Sequence, residues 1–157
     1  MTTVPSPNPP PVADVDEARA RRCELLASAD RQDLLDVADA CLADVEPPSS
    51  VIGPEVGTVV LTVREPVETS RFQLADVLVT RSEVIHRGAP GWAMRLGDDR
   101  PAALAAAICD AESAAAGPAS DRVDALCQTT EQRLAAERQQ EWDQLRPTIV
   151  TFEEMGE

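Results

Sequence analysis

The residues of this 157-residue chain with the most chemical reach are one histidine, fourteen arginines and four scattered cysteines. His86 stands near the end of a β-prone run, beside Arg87. Histidine can move protons near neutral pH, but a catalytic one needs an orienting carboxylate, and the residues around His86 give no sign of one. It is expected as a surface residue at a strand end. Arg64 closes one β-prone run, and Thr80-Arg81 follow the most apolar run, Val77-Leu78-Val79. A guanidinium fork on a rigid strand can grip a phosphate or carboxylate. Arg64, Thr80 and Arg81 are therefore the candidate anion or substrate contacts, with structural ion pairs to the many Asp and Glu side chains as the competing explanation.

Other constellations fail on spacing. Gly53, Gly57, Gly88, Gly91 and Gly97 match neither a phosphate-binding loop nor a dinucleotide fingerprint. Cys23, Cys41, Cys109 and Cys127 stand singly with no CxxC pair, which fits small buried hydrophobes better than zinc ligands or a redox motif. Asp98-Asp99 are placed to cap a helix, and a metal there would need more ligands. No catalytic residue, metal site or cofactor is assigned.

The elements that must position these residues follow from periodicity. Met1 to Asp16 carry Pro5, Pro7, Pro9, Pro10 and Pro11, a density that blocks helix and sheet alike, so residues 1–16 are expected to be a disordered tail before one domain over 17–157. Val15 to Ser28 is expected to be a helix. A second helix follows the cap Asp30, with Leu34, Ala38, Cys41 and Val45 on one face, and ends at Pro47-Pro48. The period then shortens. Gly57–Val63 and Phe72–Thr80 read as strands, Arg81–His86 continues the second or starts a third, and Trp92–Leu96 returns after the turn Gly88-Ala89-Pro90-Gly91. The continuous apolar run over 77–79 suggests a strand covered on both faces.

Beyond Gly97 an Ala-rich helix begins at Asp98 or Asp99, with Pro101 in its first turn. A long helix over Ser120–Leu145 is expected to point Val123, Leu126, Cys127, Thr130 and Leu134 inward, then Trp142 and Leu145. Thr148–Phe152 reads as a short terminal strand that adds to a sheet edge here or in a partner. The fold class is α+β: an N-terminal helical hairpin, an antiparallel β-meander of about four strands, two C-terminal helices and a terminal strand.

Composition narrows the function classes. The net charge is −14, from 28 acidic and 14 basic side chains, and every basic one is Arg. No basic stripe is present to follow a phosphate backbone, so nucleic acid is not an expected partner. No apolar run reaches the ~20 residues of a membrane span, and no basic-then-apolar leader opens the chain. A cytoplasmic protein with reduced thiols is expected. Aromatics are 3% of residues, so Leu, Val, Ile and Ala must build the core, a mild sign of a subunit that relies on partner burial.

The ordered set Gly57-Thr-Val-Val-Leu-Thr-Val-Arg64, Phe72-Gln-Leu-Ala-Asp-Val-Leu-Val-Thr-Arg81 and Gly91-Trp-Ala-Met-Arg-Leu-Gly-Asp98-Asp99 resembles the PhnG family, G subunits of the carbon–phosphorus lyase core complex. The opening Arg22-Cys-Glu-Leu-Leu-Ala-Ser-Ala29 and the closing Pro147-Thr-Ile-Val-Thr-Phe152 are similar to the family's first helix and last strand. Two places depart from it. The family's Gly-rich turn is here Glu65-Pro-Val-Glu-Thr-Ser70, and its Gly-Arg-Asp is here Gly97-Asp98-Asp99. The resemblance implies an accessory subunit, not catalytic alone and without its own cofactor. Its implied partners are the H, I and J type subunits, with ATP and phosphonate bound by the assembled complex. The implied reaction transfers a phosphonate to the ribose of ATP and releases adenine, giving ribose 1-phosphonate 5-triphosphate. The alternative reading is a non-enzymatic interaction or regulatory module unrelated to phosphonates.

Overall fold

The structure, a computed structural model, describes residues 17–43 and 47–148. The Pro-rich segment, Val45 and residues 149–152 of the expected terminal strand lie outside them; Thr148 ends a single 3-10 turn, Arg146–Thr148. The described elements are helices α1 (Glu17–Ser28) and α2 (Arg31–Cys41), strands β1 (Ser49–Arg64), β2 (Arg71–His86) and β3 (Ala89–Leu96), then α3 (Arg100–Ala114) and α4 (Ser120–Leu145). This is an α+β fold with a three-stranded antiparallel sheet in the order β1-β2-β3.

Helix starts follow local chemistry. Asp30 accepts from the Gln32 and Asp33 N–H groups at 2.8 and 3.2 Å, and Asp99, not Asp98, accepts from the Ala102 N–H at 3.1 Å. Each side chain satisfies donors that the first turn leaves without partners.

The strands differ from the sequence reading in three respects. β1 begins at Ser49, eight residues earlier than expected, because register shifts around Ile52 absorb Gly53-Pro54 without ending the pairing. Arg81–His86 continue β2, so the meander has three strands rather than about four. In that stretch Thr80, Ser82, Val84 and His86 are buried while Arg81, Glu83 and Ile85 are half-buried, a period-two alternation that keeps the polar residues in the strand. The tight turn is Arg87-Gly88 alone, with φ of 50° and 78°, the mirror-image two-residue turn that suits strand twist. Pro90 and Gly91 belong to β3, paired with Ile85 and Val84.

α3 is the centre of the core. It packs on β2 and β3 and touches α1, α2 and α4, and its residues Ala102 to Glu112 are buried apart from half-buried Leu104. Alanine lets backbones approach closely, and Gly91 shows how closely. A Cβ at Gly91 would lie 2.0 Å from the Ala107 carbonyl oxygen and 2.7 Å from the Ala111 Cβ. Gly91→Ala must push β3 and α3 apart, and overpacking of this kind costs about 2–3 kcal/mol, read as a lower urea midpoint with an unchanged slope.

Two expectations about burial are overturned. Leu78 is 47% exposed, so the apolar run is covered on one face only. Trp142 and Leu145 are exposed too, because among the described residues Leu134 is the last of α4 packed on the hydrophobic core and the helix runs on beyond it.

Candidate functional site

Arg64, Thr80 and Arg81 are not brought together. Arg64 pairs with Arg71 at the far end of the β1–β2 hairpin, while Arg81 pairs with Glu55 near its base. Ten residues of β2 separate the two rungs, about 33 Å of extended chain. Thr80 is fully buried. Its hydroxyl donates to the Gly97 carbonyl at 2.6 Å and accepts from the Asp99 N–H at 3.2 Å, tying β2 to the start of α3. Arg81 is mid-strand and ion-paired with Glu83. Arg64 is exposed at the hairpin tip with no ion-pair partner among the described residues.

The dense polar chemistry lies elsewhere, on α3. The Asp110 carboxylate is fully buried and takes five donors. Arg19 reaches its Oδ2 with Nε at 3.2 Å and Nη2 at 2.7 Å, Arg22 reaches Oδ1 with Nε at 3.1 Å and Nη2 at 3.0 Å, and the Trp92 N–H donates at 3.1 Å. Arg19 also donates to the Pro90 carbonyl at 3.0 Å, so α1 seals the outer edge of β3. Two residues further on, the buried Glu112 accepts from His86 Nε2 at 2.9 Å, from Arg87 Nε at 2.7 Å and from the Ala119 N–H at 2.8 Å. Burial alone would push the Glu112 carboxyl up. The Ala119 N–H, then Arg87 and His86, outweigh it and hold the group below the ordinary glutamate value. The carboxylate also sits at the start of α4, where the helix dipole favours an anion. Gly117 leaves the space: a Cβ there would meet Glu112 Oε1 at 2.3 Å.

His86 is thus not a surface residue. It is 1% exposed and does have a carboxylate partner, but the pair is closed inside the core. Sequence reasoning missed Asp110 and Glu112. The available signal was two acids in an otherwise alanine-rich buried run, with Arg19 and Arg22 one turn apart on α1.

An open groove of about 920 Å³ runs between α1 and the outward face of the sheet, with Trp92, Met94, Leu96 and Val79 on its floor. Arg19 lines it, as does Arg95, whose guanidinium donates to the Leu26 and Ala29 carbonyls at the end of α1. Burial depresses the Arg95 pKa, with Asp99 and Asp30 opposing the fall. Cys23, also on the groove, is pushed up to about 11 by burial, so its thiol stays protonated and unreactive at neutral pH. Among the described residues no cluster of His, Cys, Asp and Glu could hold a metal ion, and no helix is long and apolar enough to cross a membrane.

None of the curated proteins matches the chain. A family model does match, that of the phosphonate metabolism protein PhnG, over residues 17–156, which takes in the helices, the sheet and both buried carboxylate centres. The chain belongs to the phosphonate metabolism protein PhnG family, and its role is in phosphonate metabolism.

Proposed function

We propose that the chain is an accessory subunit of the carbon–phosphorus lyase complex. In this reading it supports transfer of a phosphonate onto the ribose of ATP, with release of adenine, and works together with I, H and J type subunits. Membership of the family carries the proposal. The placement of its polar groups supports the accessory role. Asp110 and Glu112 are fully buried and are engaged by arginines, a histidine and backbone N–H groups inside the core, where they join helices to strands. ATP and phosphonate are then bound by the assembled complex. Arg64, exposed at the hairpin tip and without an ion-pair partner among the described residues, is the sequence candidate best placed for an anion from another chain. Thr80 is hydrogen-bonded to Gly97 and Asp99, and Arg81 is ion-paired with Glu83, both within this chain.

Co-expression of the four subunits, followed by an assay of adenine release from ATP and a phosphonate, tests this. The full set is expected to turn over, the set lacking this chain to lose at least about 100-fold, and the chain alone to release nothing. Adenine release by the purified chain alone defeats the accessory reading. Full activity without the chain defeats the subunit reading.

A further inference from the structure

The hairpin of β1 and β2 reaches past the rest of the sheet. β3 ends at Leu96, opposite Val79, so from Arg71 to Leu78 strand β2 has β1 as its one neighbour among the described residues. This arm is about 25 Å long. Its register puts Val60 and Leu78 on one face, 52% and 47% exposed, and Val59 and Leu61 on the other, 38% and 43% exposed. A lone two-stranded hairpin is marginal in water, and apolar side chains on both of its faces make it more so. At the tip, Arg64 lies opposite Arg71, a like-charge pair that destabilises a ladder. The carboxylate beside them, Glu65, is turned into the loop, where it accepts from the Val67, Glu68 and Ser70 N–H groups.

We propose that the arm is a docking element, clasped on both faces by a cleft in another protein chain that brings a carboxylate to Arg64 and Arg71. This rests on the subunit reading and names how the subunit is held. A second copy of this chain fits less well. A two-fold contact uses the same face of each copy and leaves the other bare, and each copy carries a net charge of −14. A cleft covers both faces, and its acid answers two arginines that have no ion-pair partner among the described residues.

The test uses the full chain co-expressed with the I, H and J type lyase subunits and compares backbone hydrogen exchange over 57–64 and 71–78 in the free and assembled states. Exchange is expected to slow at least about tenfold on assembly. The pairs Val60→Glu with Leu78→Glu and Val59→Glu with Leu61→Glu, one on each face, are each expected to weaken assembly by at least about 30-fold. All four positions are exposed, so the thermal midpoint of the free chain should hold within a few degrees, which checks folding. Arg64→Glu with Arg71→Glu is expected to weaken assembly as well. A complex that forms with the arm still exchanging freely, or that tolerates either face pair, overturns the clasp and leaves the subunit reading standing. No complex with any of the three subunits defeats the subunit reading, and the clasp with it. Protection of the arm in a concentration-dependent dimer of this chain alone makes a second copy the occupant and overturns the proposal.

Discussion

Asp110→Ala is expected to lower the unfolding free energy by about 3–4 kcal/mol, the lower part of the range for breaking a buried ion pair by removing one partner. The substitution strands two guanidinium groups and the Trp92 N–H at once. Arg22 is the costlier of the two arginines, since its side chain is 19% exposed against 35% for Arg19 and recovers less hydration. A domain of this size should melt about 10 °C lower. The cause can be separated from simple cavity formation. Adding Arg19→Met and Arg22→Met to Asp110→Ala removes the stranded charges, and part of the lost stability should return although more side-chain atoms have gone. A triple variant less stable than the single one by the sum of the two arginine losses would show that the guanidiniums stabilise the fold without Asp110.

Glu112→Gln is the second large effect, about 3 kcal/mol at pH 7, because the amide oxygen can still accept from the Ala119 N–H but the amide nitrogen then faces Arg87 and His86 and accepts from neither. The pH dependence follows from the depressed carboxyl. Folding holds the Glu112 proton affinity below that of the unfolded chain, so its contribution is fully present above the unfolded glutamate value of about 4.3 and is lost as pH falls from there through the folded value. Urea titrations of both proteins between about pH 7 and pH 3 should therefore show the gap between them closing at the acid end. A gap that stays constant over that range assigns the loss to packing rather than charge. Arg87 adds a local reason for the size of the effect. It holds a left-handed backbone, φ 50°, and its bond to Glu112 is part of what keeps it there.

The helices were the legible part of this fold. Their caps act on neighbours two or three residues away, so local spacing was sufficient to find Asp30 and to narrow the other to Asp98 or Asp99, of which Asp99 is the cap. Strand limits were harder to read. Gly53-Pro54 and Arg81-Ser82-Glu83 look like breaks to a local eye. A bulge absorbs the first, and the second is a strand whose charged residues sit on the half-buried face while Ser82 points into the core. The candidate site was least legible. His86 finds Glu112 across 26 positions and Arg22 finds Asp110 across 88, and nothing in either neighbourhood encodes the meeting. Arg64 and Arg81 looked alike because each follows an apolar run; the register that sends one to the tip and leaves the other at the base is a property of the paired strands. The exposed Leu78, Trp142 and Leu145 went against a correct rule, that apolar residues seek burial, because β3 ends opposite Val79 and α4 runs on past Leu134, and local sequence marks neither limit.

The alanine surface of α3 carries one more consequence. A cylinder of methyl groups is nearly smooth, and by itself offers little to distinguish one rotation about its axis, or one sliding position along it, from the next. Asp110 and Glu112 are two residues apart, about 200° around the helix at 3.6 residues per turn, and they are gripped from opposite sides, one by α1 and β3, the other by the β2–β3 turn and the start of α4. The two carboxylates act as keys in slots. Turning α3 by one residue would pull both from their partners and leave two charges buried without compensation, so the helix that contributes least shape to the core is held in one orientation by its ionic contacts.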